Sequence, residues 1–378
     1  MVCKENMCTG CKACVDKCPK NAITIVDTLK SYNAVIDKRL CINCGACYKV
    51  CQLNYSVQKK EPIQWYQGWA KQDSIRNNSS SGGLAATIMT SFIENGGVVC
   101  SCVFEKGRFG FQFAESADDV KKFIGSKYVK SDPQGIYKQI AKRLSDNQRV
   151  LFIGLPCQVA GIKKYVGNNE KGLYTIDLIC HGTPSPKILN MFLEEYNLSL
   201  DKASDIRFRK KQTFKVYEGF SSIVPDPIRD CYSFAFTNCL DYLDSCYDCT
   251  YATKDRVGDL SLGDSWGTEL KDEESKGISL ILCQTESGRK LLEQAAPELF
   301  DVNVSIAMEN NHQLRHPSIA PSQRELFFKT MEKKGFNKAI AKCYPNFYCR
   351  QAIKSILVKM KLLGGGVTTD CYKIYYRI

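Results

Sequence analysis

The chain has 378 residues, 44% hydrophobic and 24% charged, with a net charge of +12 and 21 cysteines. That balance is that of a soluble globular protein of two or three domains. No run of about 18 or more apolar residues marks a membrane span, and "MVCKENMCTG" lacks the apolar core of a secretory signal. Cysteine density without such a signal predicts a cytoplasmic protein engaged in metal or redox chemistry rather than a disulfide scaffold. The positive charge is partly local: residues 329–378 carry eleven Lys/Arg against Glu332 and Asp370. No nucleic-acid-binding signature accompanies it, so it reads as a solvated basic tail or one that docks on an acidic partner.

Residues 1–60 hold nine cysteines in two related runs, "CTGCKACVDKCP" and "CINCGACYKVC". Both have the spacing C-x2-C-x2-C-x3-C. Three closely spaced thiolates can wrap one corner of a cubane, with the fourth drawn from farther away. The runs resemble those of bacterial two-cluster ferredoxins, in which the last cysteine of each run ligates the other cluster. The resemblance implies that Cys8, Cys11, Cys14 and Cys51 hold one 4Fe–4S cluster, and Cys41, Cys44, Cys47 and Cys18 a second. Paired structural zincs compete for C-x2-C pairs, but two complete sets of four with matching spacing disfavour them. Gln52 stands where the first run has Pro19, and Cys3 lies outside both runs.

Between the runs, "AITIV" and "YNAVID" read as a strand hairpin. "SVQKKEPIQW" reads as a linker. "RNNSSSGG" is a polar loop before the helical pattern "LAATIMTSFIEN", which Gly96 and Gly97 stop. "VVCSCVFEKGRFGFQFAE" reads as two strands around a Lys-Gly turn. Next come a helix ("IYKQIAKRL"), a strand ("RVLFIG"), a helix ("CQVAGIKKYV"), a strand ("LYTIDLIC") and a helix ("SPKILNMFLEEYN"). This alternation predicts parallel strands with right-handed crossovers. "ISLILCQT" and "GRKLLEQAA" repeat the pattern, and the remainder is mostly helical, including the basic amphipathic "AIKSILVKMKLL". Neither a P-loop nor G-x-G-x-x-G after a strand is present.

Six separated segments, "RNNSSSGGLAATI", "SKYVKS", "VLFIGLPCQVAGIKKY", "IDLICHGTPSP", "SCYDCTYATKDRVGDLSLGDSWG" and "HPSIAPSQRELFF", resemble the coenzyme F420 hydrogenase/dehydrogenase beta-subunit family, which includes 7-hydroxymethyl chlorophyll a reductase. The resemblance spans roughly Trp65 to Phe328. It implies bound FAD, an iron–sulfur cluster in the large domain, and exchange of two-electron for one-electron chemistry between them.

Read residue by residue, "SSSGG" before a helix offers free backbone N–H groups, hydroxyls and close approach to a phosphate, although such a loop is also an ordinary helix cap. The family resemblance favours the flavin, with Ser79, Ser80, Ser81, Gly82 and Gly83 as candidates, Arg76 as a phosphate partner, and Ser126, Lys127 and Tyr128 joining them. Cys157 and Cys180 each follow a strand of the alternating unit, whose C-terminal ends share one sheet edge, where open α/β sheets place ligands. With Cys246 and Cys249 they make four thiolates, enough for a third cluster. Cys157 also reads as an activated thiol at a helix N-terminus; cluster ligation is preferred. Cys231 and Cys239 are alternative ligands, and Cys100, Cys102 and Cys283 read as core residues. His181 is a candidate proton donor or an ordinary loop histidine. Asp264 reads as a flavin or cluster-loop contact or as turn chemistry. "RFRKKQTFK" reads as a solvated strand face, with binding of an acidic substrate as the alternative.

The sequence thus predicts an α+β or α/β protein. A two-cluster ferredoxin-type domain (1–60) precedes a mixed α/β flavin-binding domain in two parts (65–145 and 146–328) and a basic helical tail (329–378). The expected function is that of an iron–sulfur flavoprotein oxidoreductase. It would pass electrons between ferredoxin or reduced coenzyme F420 and a small, anionic substrate. The alternative is an electron-transfer subunit docking on a larger redox complex.

Overall fold

The computed structural model describes residues 1–363. The last fifteen residues of the expected basic tail lie outside them. The N-terminal runs fold as a backbone repeat. Each places two of its cysteines around a short helix, Ala13–Lys17 or Ala46–Val50, and the hairpin β1 (Ile23–Asp27) and β2 (Tyr32–Ile36) links the two. Gly10 and Asn43 have φ of 66° and 54°, and Lys12 and Gly45 have φ of 58° and 69°. Cys18 and Cys51 end the two helices in nearly the same extended conformation, with ψ of 114° and 117°. Left-handed residues at matching positions coil each C-x2-C-x2-C loop so that its backbone amides turn inward; glycine and asparagine adopt that conformation at least cost.

The large domain is built on an eight-stranded sheet. Its strands are β3 (Gln64–Trp69), β4 (Val98–Glu105), β5 (Arg108–Ala114), β6 (Val150–Gly154), β7 (Leu173–Leu178), β11 (Leu260–Asp264), β12 (Ser279–Cys283) and β13 (Glu298–Phe300). A separate antiparallel sheet comprises β8 (Ile206–Lys210), β9 (Thr213–Glu218) and β10 (Ser221–Ser222). The large sheet runs in the order β13-β3-β12-β11-β7-β6-β4-β5. Its centre, β4-β6-β7-β11, is parallel, as the strand–helix alternation predicts. Both margins are antiparallel, so "ISLILCQT" does not extend the parallel unit: β12 runs against both β11 and β3. Every residue of β6 is buried, as expected of a central parallel strand covered on both faces.

Alternation along the strands divides the core. Leu151 and Ile153 pack with the helices Leu84–Glu94 and Glu286–Ala295. Val150 and Phe152 face the helices Ile136–Ser145 and Pro156–Val166 and, beyond them, the ferredoxin-type segment. Cys8, Cys11, Cys14 and Cys51 belong to the same apolar cluster as Phe152, Val159 and Ile162. The first 60 residues are therefore packed into the large domain rather than tethered to it. Asp16 accepts hydrogen bonds from the backbone N–H groups of Gly135 and Tyr137, satisfying the first turn of the next helix. The expected linker is also docked, since Lys60 and Arg256 exchange backbone hydrogen bonds of 2.7 and 2.9 Å. Nor is the region after residue 328 a detached tail at its start: Met331, Phe336, Ala339 and Ile340 are buried against Phe192 and Tyr232.

Candidate functional site

The ferredoxin-type thiols sort into two sets. The neighbours acting on Cys14 are Cys11, Cys8, Cys51 and then Cys47, whereas those acting on Cys47 are Cys18 and Cys41. The last cysteine of each run thus stands with the other run, as the ferredoxin resemblance implies. Burial pushes the Cys11 thiol up to about 12, and Cys8, Cys11, Cys14 and Cys51 are all buried. The second set is shallower, and Cys44 is exposed. Matching amide–sulfur hydrogen bonds, Gly10 N to Cys8 Sγ and Asn43 N to Cys41 Sγ, are both 3.4 Å. Donors aimed at sulfur in this way stabilise thiolates. Cys3 is less incidental than its position suggests, because its thiol meets both Cys8 and Cys51.

A third set assembles over long sequence distances. Cys157 lies in the first turn of Pro156–Val166, just after β6, and Cys180 two residues past the end of β7. Burial pushes the Cys180 thiol up, and Cys246, Cys157 and Cys249 reinforce the shift while Lys130 opposes it. Cys249 is pushed up to about 12 by burial, with Cys246 and Cys157 adding. Four thiols and one cation therefore share a single electrostatic neighbourhood. Lys130 is 4% exposed, and its Nζ donates to Cys157 Sγ at 3.2 Å. Desolvation works against its charge, but Cys157 and Cys246 outweigh it and leave the ammonium more basic than usual. Cys231 is buried in another core cluster and Cys239 faces Ser318 and Tyr242, so neither joins the set. Among the described residues, no three His, Cys, Asp or Glu side chains close on a point that would hold a single metal ion. The donors suit clusters: three sets of four thiols, the first buried and the others half-buried apart from the exposed Cys44, with amide N–H groups on sulfur in both ferredoxin-type loops.

The loop carrying Cys246 and Cys249 is anchored by a buried ion pair. Arg256 Nη2 meets Asp177 Oδ1 at 2.6 Å with side-chain exposures of 1% and 0%. The same guanidinium donates to the carbonyls of Tyr251 and Leu178, and Asp177 accepts from Gly258 N. The third set also abuts the first. Gly161, one helical turn beyond Cys157, is so close to Cys11 that an added Cβ would sit 3.5 Å from its sulfur. Tyr251 lies in the field of Cys157, Cys11, Cys249 and Cys51 together.

Beside the third set opens a cavity of about 530 Å³, lined by Ser79–Ser81 and Gly83, Ser126–Tyr128, Cys180 and His181, and Asp264. This volume lies in the range of about 300–1,000 Å³ common for cofactor and ligand sites. Ser80 Oγ accepts from Ser126 N at 2.9 Å, tying the two candidate loops together. Ser79 and Ser81 spend their hydroxyl protons on the backbone carbonyls of Ile75 and Ile278. Gly83, with φ of 88°, opens the helix Leu84–Glu94, whose first turn forms part of the wall. Gly82 faces away, towards the Gly68 carbonyl and Ser279. Arg76 is not available to a phosphate: its guanidinium bonds the Glu273 carboxylate at 2.6 Å and the Gly277 carbonyl, and stacks on Trp69.

"RFRKKQTFK" is not the solvated face its charge suggests. Arg209 points into the cavity wall, pairs with both oxygens of Asp264 at 2.6 and 2.9 Å, and lies over Phe214 and Trp266. Lys215 is buried against Asp226. Lys211 is pushed down to about 8 by burial and by Arg76 and Arg209. Tyr128 stacks between Phe236 and Phe214, at 4.4 and 5.6 Å. Lys127 lines the cavity, with burial lowering its basicity. Cys100 and Cys283 are core residues, whereas Cys102 reaches the cavity.

His181 is pushed down to about 4, by burial and then by His312, so near neutrality its imidazole is uncharged. Its Nε2 contacts Gln313 Nε2 at 3.0 Å, and its carbonyl accepts from Ser318. Gly182 follows with φ of 144°, and a Cβ there would strike the Tyr242 ring at 2.2 Å, so only glycine lets the chain turn the histidine towards the cavity. The side-chain oxygens of Gln313 and Asn311, both wall residues, are buried without a partner. These, with Lys130 and Arg256, are site residues that sequence reasoning missed, and Arg209 it placed on a solvated face with acidic-substrate binding only as the alternative. Lys130 had a visible signal, since it lies in the "SKYVKS" segment already singled out.

Comparison with known proteins places this arrangement. Residues 65–134 match the model "Coenzyme F420 hydrogenase/dehydrogenase, beta subunit N-term" and residues 147–301 the corresponding C-terminal model. Residues 7–55 match a 4Fe-4S dicluster domain. One subunit of the F(420)H(2) dehydrogenase of Methanosarcina mazei is 22% identical over 79% of this chain and 85% of its own length. Coenzyme F420-dependent sulfite reductase of Methanocaldococcus jannaschii is 26% identical over 49% of this chain, but the match spans only 29% of that protein. A chain in a structure of the F420-reducing [NiFe] hydrogenase complex from Methanosarcina barkeri superposes with a TM-score of 0.49 at 20% identity, over 73% of this chain and 96% of that one. Among the described residues no helix is long and apolar enough to cross a membrane. With both halves of one family's fold in order behind a dicluster segment, the chain belongs to the coenzyme F420 hydrogenase/dehydrogenase beta-subunit family and carries a 4Fe-4S dicluster domain at its N-terminal side.

Proposed function

We propose that this protein is an FAD-dependent iron–sulfur oxidoreductase, exchanging electrons between a carrier of the ferredoxin or reduced-deazaflavin type and a small substrate at the cavity. The observation that carries this reading is Cys180, which belongs to the third thiol set and to the cavity wall at once. From there the sets follow one another outward, through Cys157 and Cys11 to the buried set and then to the shallow set with its exposed Cys44. When bound, the clusters supply one-electron transfer and the flavin supplies the exchange of single electrons for a hydride. The chain's own residues hold, orient and exclude water. The Gly83 helix N-terminus and the Ser80–Ser126 link shape a phosphate-accepting corner. Tyr128, Phe214 and Phe236 form an aromatic platform for a planar ring. Arg209, paired with Asp264, and Lys127, held on the Phe123 carbonyl at 2.7 Å, place positive charge in the wall, and Asn311 and Gln313 supply acceptors that a ring N–H would satisfy. His181 is neutral and carries one ring proton, on Nδ1 when Gln313 donates to its Nε2.

The second reading, a subunit that docks on a larger redox complex, is favoured by the surface of the shallow set. Leu40, Ile42, Tyr48 and Tyr55 are about half exposed around Cys44. Residues 38–60 carry five Lys/Arg and no Asp or Glu. An acidic one-electron partner would meet both apolar contact and opposite charge there. Anaerobic purification with iron, sulfide and flavin analysis tests the first reading. About twelve irons and one flavin per chain are expected for three cubanes and one FAD. About eight irons would remove the third cluster, and absence of flavin would remove the oxidoreductase core.

A further inference from the structure

The last described helix, Pro345–Lys359, buries polar residues while leaving large apolar ones outward. It buries Gln351, Ser355 and Val358, and Gln351 Oε1 accepts from Arg229 N at 3.0 Å. Phe347 pins its first turns to Phe234 with ring centroids 3.7 Å apart. Outward it turns Ile353, Ile356 and, just past its end, Met360, which are 57%, 56% and 61% exposed. Cys349 is exposed as well. At about 100° per residue, residues 349, 353, 356 and 360 fall in one stripe roughly 60° wide. Arg350 lies about 90° round from the centre of that stripe on one side and Lys359 about 90° on the other, while Lys354 lies farther round and donates to the Pro227 carbonyl at 3.4 Å. The helix carries no Asp or Glu, and residues 329–363 hold nine Lys/Arg against Glu332.

A helix that served only this protein's own core would bury isoleucine and expose glutamine. Here a mixed face of Phe347, Gln351, Ser355 and Val358 holds the helix in place and leaves the apolar stripe outward, with a cation about 90° round the helix on either side. That arrangement matches a water–lipid boundary: apolar side chains enter the acyl region while flanking Lys/Arg reach the headgroups. A partner with complementary acids is not required, only a surface of negative charge, and the strongly basic flanking sequence favours one. We propose that this helix docks the protein, in plane and without crossing, on an anionic phospholipid surface. Its apolar stripe is too short and too narrow to span a bilayer.

The test is co-sedimentation of the full-length protein with phosphatidylcholine vesicles, with and without phosphatidylglycerol. Binding only to the phosphatidylglycerol vesicles, weakened by salt, is expected. The double substitution Ile353→Glu/Ile356→Glu, at exposed helix positions that glutamate tolerates, should lower the bound fraction about tenfold or more. Retained iron content and circular dichroism would establish that this variant is folded. Failure to bind anionic vesicles, or equal binding by the folded variant, overturns the proposal. So does a wild-type dimer in sedimentation velocity that the same double substitution abolishes, since the stripe would then cover a second copy of the chain.

Discussion

The first two thiol sets and the third set offer the same donor, a cysteine thiol, and are built in contrary ways. Six of the eight ferredoxin-type cysteines sit in two loops of seven residues, where left-handed residues at matched positions fix the geometry locally. The third set draws Cys157, Cys180, Cys246 and Cys249 from two strand ends and a distant loop. Its geometry comes from the parallel register of β6 and β7 and from buried polar contacts. The difference appears in the polar accounting. Among the described residues, all the buried side-chain oxygens and nitrogens without a partner belong to residues 241–337, and none to residues 1–60. The locally coded sets leave no side-chain orphan in their own segment, whereas the long-range set leans on the Arg256–Asp177 ion pair and has Asp241 unsatisfied in the segment leading to Cys246.

The sharpest way to break that contrast is to remove the brace of the third set alone. Asp177→Ala leaves the Arg256 guanidinium buried and uncompensated. Breaking such a pair costs about 3–5 kcal/mol. Urea unfolding should show that loss. Iron content should fall by roughly one third, to the eight atoms of two cubanes, with the ferredoxin-type signals intact in electron paramagnetic resonance. Loss of all iron together would show that the sets do not assemble separately.

The next prediction concerns charge. Lys130 Nζ lies 3.2 Å from Cys157 Sγ, and its side-chain stem would be 3.4 Å from a Cβ added at Gly10, in the first ferredoxin-type loop. A cation held beside thiolates favours the reduced, more negative state of whatever they ligate. Lys130→Met should therefore make one cluster harder to reduce, by on the order of 100 mV, and Lys130→Arg should restore much of the loss. An unchanged potential in an anaerobic redox titration of Lys130→Met would refute the assignment.

These residues show where sequence reading reaches its limit. The ferredoxin-type runs were legible because ligand spacing is a local property. So were the strand–helix alternation and the Ser-Gly loop, whose positions along the chain follow from periodicity and turn chemistry. Arg256 was not legible, and Arg209 was legible only as the less favoured alternative. In "RFRKKQTFK" every second residue is charged or polar, which reads as a solvated face, and only Asp264 from a distant strand turns Arg209 inward. Arg76 failed in the opposite direction: it adjoins the right loop in sequence, but Glu273 and Gly277 take its donors. The antiparallel direction of β12 was hidden because "ISLILCQT" has the same apolar character in either direction.

The smallest expected effect comes from an orphan. Asp241 is 0% exposed, and neither carboxylate oxygen has a partner. It lies in the segment leading to Cys246, where Leu243 N donates to the Thr183 carbonyl at 3.0 Å. Burial pushes its carboxyl up to about 8 from 3.8, with Arg324 only partly opposing. The folded protein therefore binds this proton more tightly than the unfolded chain. Stability from this group is fully present below about pH 4 and is lost as pH rises towards 8. Asparagine resembles the protonated acid at every pH. Asp241→Asn should match the parent near pH 4 and exceed it by about 1–3 kcal/mol near pH 8, as read by urea unfolding at both pH values. A difference that does not grow with pH would mean that Asp241 is ionised in the folded protein and has found a partner. The polar contrast between the two ways of building a thiol site would then lose its clearest member.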